Sequence, residues 1–428
     1  MNADAADEYG RGRRRLARSG GECMSTVETV VTPVPRPGAA ELTELVADIA
    51  ADAARRRAAG DTEPPEAAVA AVKRLRLGAA RVPVADGGGG WTVGELFAFL
   101  IDLAEADPDV PHILRVHFGF VEELYRLPRT DDKSAWIAEV AAGRLIGGAL
   151  TELGANPVGD YVYDSTLTAA PGGYRLNGRK FYSTGARYGD YVRVTAKAPE
   201  GGVLSAIVPV DRAGVEHVDD WDGIGQRHTS SGTTIFTDVA VAPEETLPFR
   251  DPRAADRPRQ AFPQLYLHAL AAGILRSVVT DAADVVRSRA RNFVFANTGE
   301  PRHDPQLLAV VGELDAAAFA AEAVVLAAAA AQDRSFAAAR STGVDPALES
   351  DSSVRAAQAK VAIEDFALRA AGRIFDVGGA SATRGTAGLD RHWRNLRTLF
   401  SHNPAAYKAR SLGNLRVNDE PLPLAGHF

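Results

Sequence analysis

Residues 391–408 read RHWRNLRTLFSHNPAAYK, a stretch that concentrates side chains capable of chemistry. It holds four basic residues, three aromatic residues and two histidines, and no aspartate or glutamate. Histidine and amide side chains donate and accept hydrogen bonds and can move protons, but they bring no fixed negative charge. An anion that forms beside His402 and Asn403 would therefore meet no repelling carboxylate in this stretch.

The basic residues of this stretch allow two interpretations. Arg391, Arg394 and Arg397 are spaced at i, i+3 and i+6, so a helix places them on one face. Such a face is usually solvated or paired with carboxylates, whereas a bound phosphate is the functional alternative because the guanidinium fork suits it. His402 is likewise either an ordinary core histidine or a functional group.

Other candidate sites are disfavoured by their sequence context. The DGGGG run at 86–90 follows no strand and precedes no Lys-Ser/Thr, so we predict a loop and no phosphate-binding site. His112 and His117 are five residues apart and point to different helix faces, so no metal site is predicted. The single cysteine, Cys23, excludes an internal disulfide and a cysteine-based metal site.

Composition narrows the class of protein. The chain has 428 residues, 46% of them hydrophobic, with a formal net charge of −7. That charge excludes a globally basic surface for nucleic acid or anionic lipid. We find no uninterrupted apolar run of about 18 residues and therefore predict a cytoplasmic protein without a membrane span.

The pattern of hydrophobic and turn-forming residues changes twice along the chain, from helical to strand-like and back to helical. We predict a disordered leader at 1–37, a helical domain at 38–144, a β-barrel or sandwich domain at 145–250, and a helical bundle at 261–418. Linkers are expected at 252–263 and 341–346. Within the β domain, GGYRLNGRKFYST is predicted to be a hairpin whose turn is Asn177-Gly178.

Four motifs follow one another in the β region: ALTELGANPVGD, YRLNGRKFYSTGARYGDYVRVTAK, IVPVDRAGVE and DDWDGIGQRHTSSGTTIFTDVAVAPEETL. In this order they resemble the acyl-CoA dehydrogenase superfamily over about residues 40 to 418. The resemblance implies an α+β, mostly α fold with an N-terminal helical domain, a central antiparallel β domain and a C-terminal four-helix bundle. It also implies a homotetramer.

One branch of that superfamily fits the C-terminal motif better than the others. Dehydrogenases carry a catalytic glutamate in a Glu-Gly-Thr motif here or on the first C-terminal helix, yet RTLFSHNP and FPQLYLHALAAGILR contain no acid. The pattern DRHWRN, RT, HNP, YK resembles flavin-dependent monooxygenases of the dibenzothiophene-oxygenase type. This resemblance implies a C4a-hydroperoxyflavin that transfers one oxygen atom from O2 to sulfur, nitrogen or carbon of a small substrate. The reduced flavin, FMN or FAD, would come from a separate NAD(P)H:flavin reductase.

The resemblance assigns roles to individual residues. It implies His402, Thr184 and His112 as catalytic residues. Its cofactor-binding set is Thr151, Thr184, Trp221, Arg291, Gly378, Gly379 and Arg394.

The sequence also departs from the pattern of the branch. Gly148, Val116 and Leu399 stand where dibenzothiophene enzymes have Asn, Tyr and His, which puts that substrate in doubt. Ser381 stands where FMN-using relatives have a second phosphate-binding arginine, so FAD remains open. An acyl-CoA dehydrogenase with a displaced base and a catalytically silent partner protein are the alternative functions.

Overall fold

A computed structural model describes residues 32–126, 131–154, 157, 160–249, 251 and 261–424. Most of the predicted leader lies outside these residues. The first helices are α1 (Ala40–Ala58), α2 (Glu66–Arg74), α3 (Val93–Ala106), α4 (Asp109–Ile113), α5 (Arg115–Arg126) and α6 (Asp131–Ala141). The spacing of Leu42, Leu45, Val46 and Ile49 predicts one apolar helix face, and in α1 Leu42, Leu45 and Ile49 are buried while Val46 is partly buried. A capping box between Thr92 and Glu95 sets the start of α3.

The middle of the described chain forms one mostly antiparallel sheet. Its strands are β1 (Ile146–Ala149), β2 (Thr166–Ala170), β3 (Gly173–Lys180), β4 (Tyr191–Lys197), β5 (Val203–Pro209), β6 (Val215–Val218), β7 (Thr233–Val241) and β8 (Thr246–Pro248). The order is β6-β7-β3-β2-β4-β5-β8, and β1 pairs in parallel with β4. The segments DYVRVTAK, VLSAIVPV and GTTIFTDVAV, whose β-branched and aromatic residues predict strands, form β4, β5 and β7.

The predicted hairpin turn at Asn177-Gly178 is wrong. Both residues lie inside β3, which pairs with β2 on one side and β7 on the other. The register against β7 shifts between Leu176 and Gly178, and Gly178 has φ +156°. A Cβ there would lie 2.1 Å from Ser165 Oγ, so the glycine serves a close approach and a bulge, not a turn. The chain reverses instead between Ala170 and Gly173.

Long helices return after the sheet. They are α7 (Ala261–Ser288), α8 (Pro305–Ser341), α9 (Pro346–Gly378), α10 (Arg391–Phe400) and α11 (Ala405–Asn418). Asp304 and Asp345 cap the starts of α8 and α9, each followed by proline at the first helical position. By length and composition alone, α8 is the one described helix that could cross a membrane, and it packs here between α7, α9 and α3.

Candidate active site

Three hydroxyl groups form a connected row in the loops around β3 and β7. Thr184 Oγ1 lies 2.8 Å from Ser231 Oγ, which lies 2.7 Å from Thr229 Oγ1. Thr229 Oγ1 in turn donates to the carbonyl of Gln226 at 3.0 Å. We call Thr184, Ser231 and Thr229 the hydroxyl row. Gly185 follows Thr184 with φ +75°, and a Cβ there would lie 2.3 Å from the Ile113 carbonyl, so the row sits directly against α4.

His112 contributes from α4 to the same place. The ring is buried, and its Nδ1 lies 2.8 Å from Gln226 Oε1. Burial, and after it the charge of Arg115, lower the pKa of His112 to about 3. The ring is therefore neutral near pH 7, with Nδ1–H donating to Gln226 and Nε2 left as an acceptor.

Gln226 has an unused polar group in this site. Its residue is buried, and Nε2 has no hydrogen-bond partner within the described chain. Exchanging the two amide positions would leave the oxygen unpaired instead, so one buried amide atom is free in either orientation. A buried amide group without a partner is unusual, and a ligand atom would satisfy it.

Trp221 and Tyr182 form an aromatic wall beside the hydroxyl row. Trp221 is half-buried and donates from Nε1 to the Gln226 carbonyl at 2.9 Å. Its ring meets Tyr182 edge-on, with centroids 6.1 Å apart. A Cβ on Gly223 would lie 2.0 Å from the indole, so only glycine at this position leaves room for the Trp221 ring. Such a wall suits a flat aromatic ligand.

Helix α10 packs onto the loop that carries Gln226. Asn395 Oδ1 accepts from the Gln226 backbone N–H at 2.8 Å, and Arg394 Nη1 donates to the Ile224 carbonyl at 3.0 Å. Arg394 also pairs with Asp390 at 2.9 Å. The other two arginines of the predicted face have partners as well: Arg391 pairs with Asp281, and Arg397 lies 3.7 Å from Glu364. The structure therefore favours ion pairing for this face.

His402 lies in the turn that follows α10. It is exposed, and its backbone N–H donates to the Leu399 carbonyl at 3.3 Å. The adjacent Asn403 is buried, and its Nδ2 donates to Gln264 Oε1 at 2.6 Å, which ties the turn to the start of α7. Asn403 Oδ1 has no partner in the described part of the chain.

The remaining predicted cofactor residues divide into two places. Thr151 is exposed at the edge of the site, where its carbonyl accepts from the Phe181 N–H at 2.9 Å. Arg291, Gly378 and Gly379 lie together at the other end of α7, where Arg289 Nη1 donates to the Val377 carbonyl at 2.6 Å. The rise of α7 separates that end from Gln264 by roughly 35 Å. Within one chain, Thr184, His112 and Trp221 therefore lie together, whereas Arg291, Gly378 and Gly379 lie far from them.

Carboxylates approach the site without joining it. Asp109 Oδ2 accepts from the His228 N–H at 3.2 Å, and burial together with Asp107 raises the pKa of Asp109 to about 7. Asp109 lines a cavity of about 60 Å³ whose wall includes Arg227 and Arg394 but neither His112 nor Thr184. In the described ranges, the side-chain partners of Thr184, His112 and Gln226 are neutral groups.

Sequence reasoning missed Gln226, Thr229 and Ser231, although all three lie in the quoted motif GIGQRHTSSGTT. Their only signal is a run of small polar residues before β7. His117, for which no metal role is predicted, has a partner for each ring nitrogen: Nε2 lies 2.9 Å from the Gly78 carbonyl, and Nδ1 accepts from the Ile146 N–H at 3.1 Å.

We expect the fold to lose stability in mild acid. Burial lowers the pKa of His112 and His268 to about 3 and that of His117 to about 4, while each takes up a proton near pH 6.5 when unfolded. Their stabilising contribution is therefore complete above about pH 6.5 and decreases as pH falls toward 3–4. Urea unfolding should show a midpoint clearly lower at pH 5 than at pH 7, with a loss on the order of several kcal/mol. Equal midpoints would contradict the neutral, buried state of these rings.

Comparison with known proteins identifies first the family to which the chain is similar and then the branch within that family. Residues 265–406 match the family of the acyl-CoA dehydrogenase C-terminal domain. Over 402 residues the chain is 30% identical to a probable FMNH2-dependent monooxygenase, SfnC, of Pseudomonas putida, covering 92% of this chain and 98% of the relative. It is 31% identical over 356 residues to a dibenzothiophene monooxygenase of Mycolicibacterium goodii, covering 78% and 84%.

A solved structure agrees with these relatives. FMN-bound TdsC from Paenibacillus sp. A11-2 matches with a TM-score of 0.81 at 28% identity, over 91% of this chain and 99% of that one. The chain belongs to the flavin-dependent monooxygenases that have the acyl-CoA dehydrogenase fold. The predicted fold class and family resemblance are confirmed.

Proposed function

We propose that this monooxygenase uses reduced FMN from a separate NAD(P)H:flavin reductase and transfers one oxygen atom of O2 to a small organic substrate. The observation that carries the proposal is a site whose hydrogen-bonding side chains include no carboxylate: a hydroxyl row, an unprotonated His112 and a free Gln226 amide atom beside Trp221. These groups fit a flavin. The aromatic wall suits its ring system, and the free amide atom suits a polar atom on the ring edge.

The residues predicted to bind the flavin phosphate lie far from the hydroxyl row within one chain. Arg291 is exposed and lies roughly 35 Å along α7 from Gln264, too far to contact the same flavin. We therefore place Arg291, Gly378 and Gly379 against the flavin of a neighbouring subunit, as in the expected homotetramer. FMN rather than FAD is supported by the FMNH2-dependent relative and the FMN-bound structure. Thr151 and Arg394 would border the ring end of the site.

Bound reduced flavin would supply the electrons that activate O2. The protein's part is to hold the reacting oxygen and keep water out. The Thr184 hydroxyl, which the row directs at Ser231, would turn toward this oxygen to donate its hydrogen bond, and His112 Nε2 would accept one. His402 delivers the proton that the departing oxygen needs, from a turn that Asn403 fixes to α7. Excluding water favours transfer to substrate over release of hydrogen peroxide.

The proposed function is tested with isotope-labelled O2. The protein, FMN, NADH and a flavin reductase are incubated with thioethers, amines and indoles in turn. We expect at least one product to carry one labelled oxygen atom, formed only when this protein is present. Peroxide alone with every compound, or label taken from water, would contradict the proposal. Cytoplasmic location and the absence of nucleic-acid or membrane partners are part of the proposal.

Asp109 gives the dehydrogenase alternative its one specific observation, because a carboxyl with a pKa near 7 is a possible base. If the oxygenase proposal is correct, Asp109→Asn leaves oxygen transfer within about two-fold of wild type, whereas loss of a catalytic base costs roughly 100-fold or more. Because burial raises the pKa of Asp109 to about 7, the folded protein loses stability as pH rises from about 4 toward 7 and this carboxyl ionises. Asparagine carries no charge, so Asp109→Asn should have a higher unfolding temperature than wild type at pH 8.

The same variant tests the alternatives directly. Acyl-CoA added anaerobically to the protein with oxidised flavin should leave the flavin colour unchanged in both forms. Bleaching in wild type that Asp109→Asn abolishes would establish a displaced base. Absence of flavin binding at micromolar concentration would favour the catalytically silent partner.

A further inference from the structure

Arg115 differs from the other arginines around it. It begins α5, is half-buried, and its described hydrogen bond runs from Nε to the Pro263 carbonyl at 3.2 Å. Four of the buried arginines in the described chain have a carboxylate partner: Arg56 with Asp107, Arg81 with Glu122, Arg126 with Glu349, and Arg193 with Glu123. Within the described chain, Arg115 has no carboxylate at ion-pair distance and no partner for its two terminal nitrogens.

The missing counter-ion has an energetic meaning. Burial lowers the pKa of Arg115 to about 10, yet the group remains a cation near pH 7. Burying a cation without an anion beside it is unfavourable, and for that reason buried charges are normally paired. The charge of Arg115 also disfavours protonation of His112. A ligand that brings a negative charge would remove this cost.

The position of Arg115 decides which ligand it can meet. His112 lies three residues earlier, so the two side chains are neighbours on one side of the helical segment, with Cβ atoms roughly 5–6 Å apart. The carbonyl that Arg115 binds belongs to Pro263, whose neighbour Gln264 holds Asn403 beside His402. Arg115 therefore connects the segment that carries His112 to the start of α7, which also holds the turn that carries His402.

The surrounding wall has few other polar groups. A Cβ on Gly148 would lie 2.6 Å from Val116 Cγ1, so these two positions touch, and Leu399 is buried. The dibenzothiophene-type pattern has polar side chains at all three positions. This chain has lost groups that would hold a neutral aromatic substrate and presents an uncompensated cation instead.

We propose that Arg115 binds the anionic group of the substrate and that the substrate is a small organic anion such as a sulfinate or a carboxylate. The guanidinium fork holds the two oxygens of such a group side by side, which places the rest of the molecule next to His112. The oxidation of this anion rests on the proposed function, whereas its binding does not.

Binding is measured by calorimetry on the flavin-free protein with benzenesulfinate and with its neutral relative, methyl phenyl sulfoxide. In Arg115→Gln we expect benzenesulfinate to bind about thirty-fold more weakly, because a charge-assisted pair of hydrogen bonds is lost. Arg115→Lys should recover part of the affinity. The sulfoxide should bind weakly and equally to all forms. Arg302→Gln, which removes an exposed charge, is the matched control and should bind like wild type.

Two results would overturn the inference: Arg115→Gln binding benzenesulfinate as tightly as wild type, or wild type binding the sulfoxide as tightly as the sulfinate. If the glutamine variant does not fold, the comparison of wild type with Arg115→Lys decides, since equal sulfinate affinity would contradict a forked contact. An anion that binds through Arg115 but is never oxidised would count against the proposed function alone. If wild type oxidises a thioether but binds neither benzenesulfinate nor benzoate, the result would count against the anion-binding role of Arg115 and leave the proposed function intact.

Discussion

Replacing Thr184 with valine is expected to divert the electrons of NADH from product to hydrogen peroxide, with the ratio of product to peroxide falling roughly tenfold or more. Valine keeps the shape of threonine but removes the hydroxyl that ends the row toward the aromatic wall. One lost hydrogen bond to a developing charge in a water-poor site corresponds to at least about 1.4 kcal/mol, which is tenfold in partition. Ser231 keeps its bond to Thr229, so the loop should stay in place.

The measurement is product and peroxide formed per NADH consumed, in the same reaction. Thr168→Val makes the same chemical change on an exposed position of β2 and should leave the ratio unchanged. FMN affinity should change little in either variant, because the hydroxyl acts on the bound oxygen. A Thr184→Val enzyme as tightly coupled as wild type would remove this hydroxyl from the account.

His402→Ala is expected to lower product formation by roughly 100-fold or more while FMN still binds. The reason is the loss of a proton donor, whose contribution in enzymes is about 10²–10⁴-fold. Because His402 is exposed and the turn is fixed by its neighbour Asn403, the substitution should not unfold the protein.

The control for this variant is His303→Ala, which removes an exposed histidine that pairs with Glu300 at 3.4 Å on a different segment. Its turnover should equal that of wild type. Product formation in His402→Ala within a few-fold of wild type would assign the proton transfer to another group.

Periodicity and motif order predicted the helix–sheet–helix fold because both report burial. The α1 stripe and strands β4, β5 and β7 follow their patterns, since alternating or helical burial dominates their energy. Asn177-Gly178 misled the prediction because the same dipeptide that makes a tight turn can also make a bulge where backbones crowd. Local sequence does not contain the position of Ser165, which requires that glycine.

The site was predictable only in part, for the same reason. Thr184, His112 and Trp221 were predicted from the motifs and do lie together around Gln226. Whether an arginine is paired depends on residues far along the chain, such as Asp281 for Arg391. The raised pKa of Asp109 likewise depends on burial that a single sequence does not specify.

The central claim is tested most directly by mixing the anaerobically reduced protein–FMN complex with oxygenated buffer and no substrate, and timing the release of hydrogen peroxide. If a water-poor site without a carboxylate shelters activated oxygen, peroxide should appear at least about tenfold more slowly than from free reduced FMN, a difference of about 1.4 kcal/mol in barrier. Peroxide released from the complex as fast as from free FMN would contradict the account.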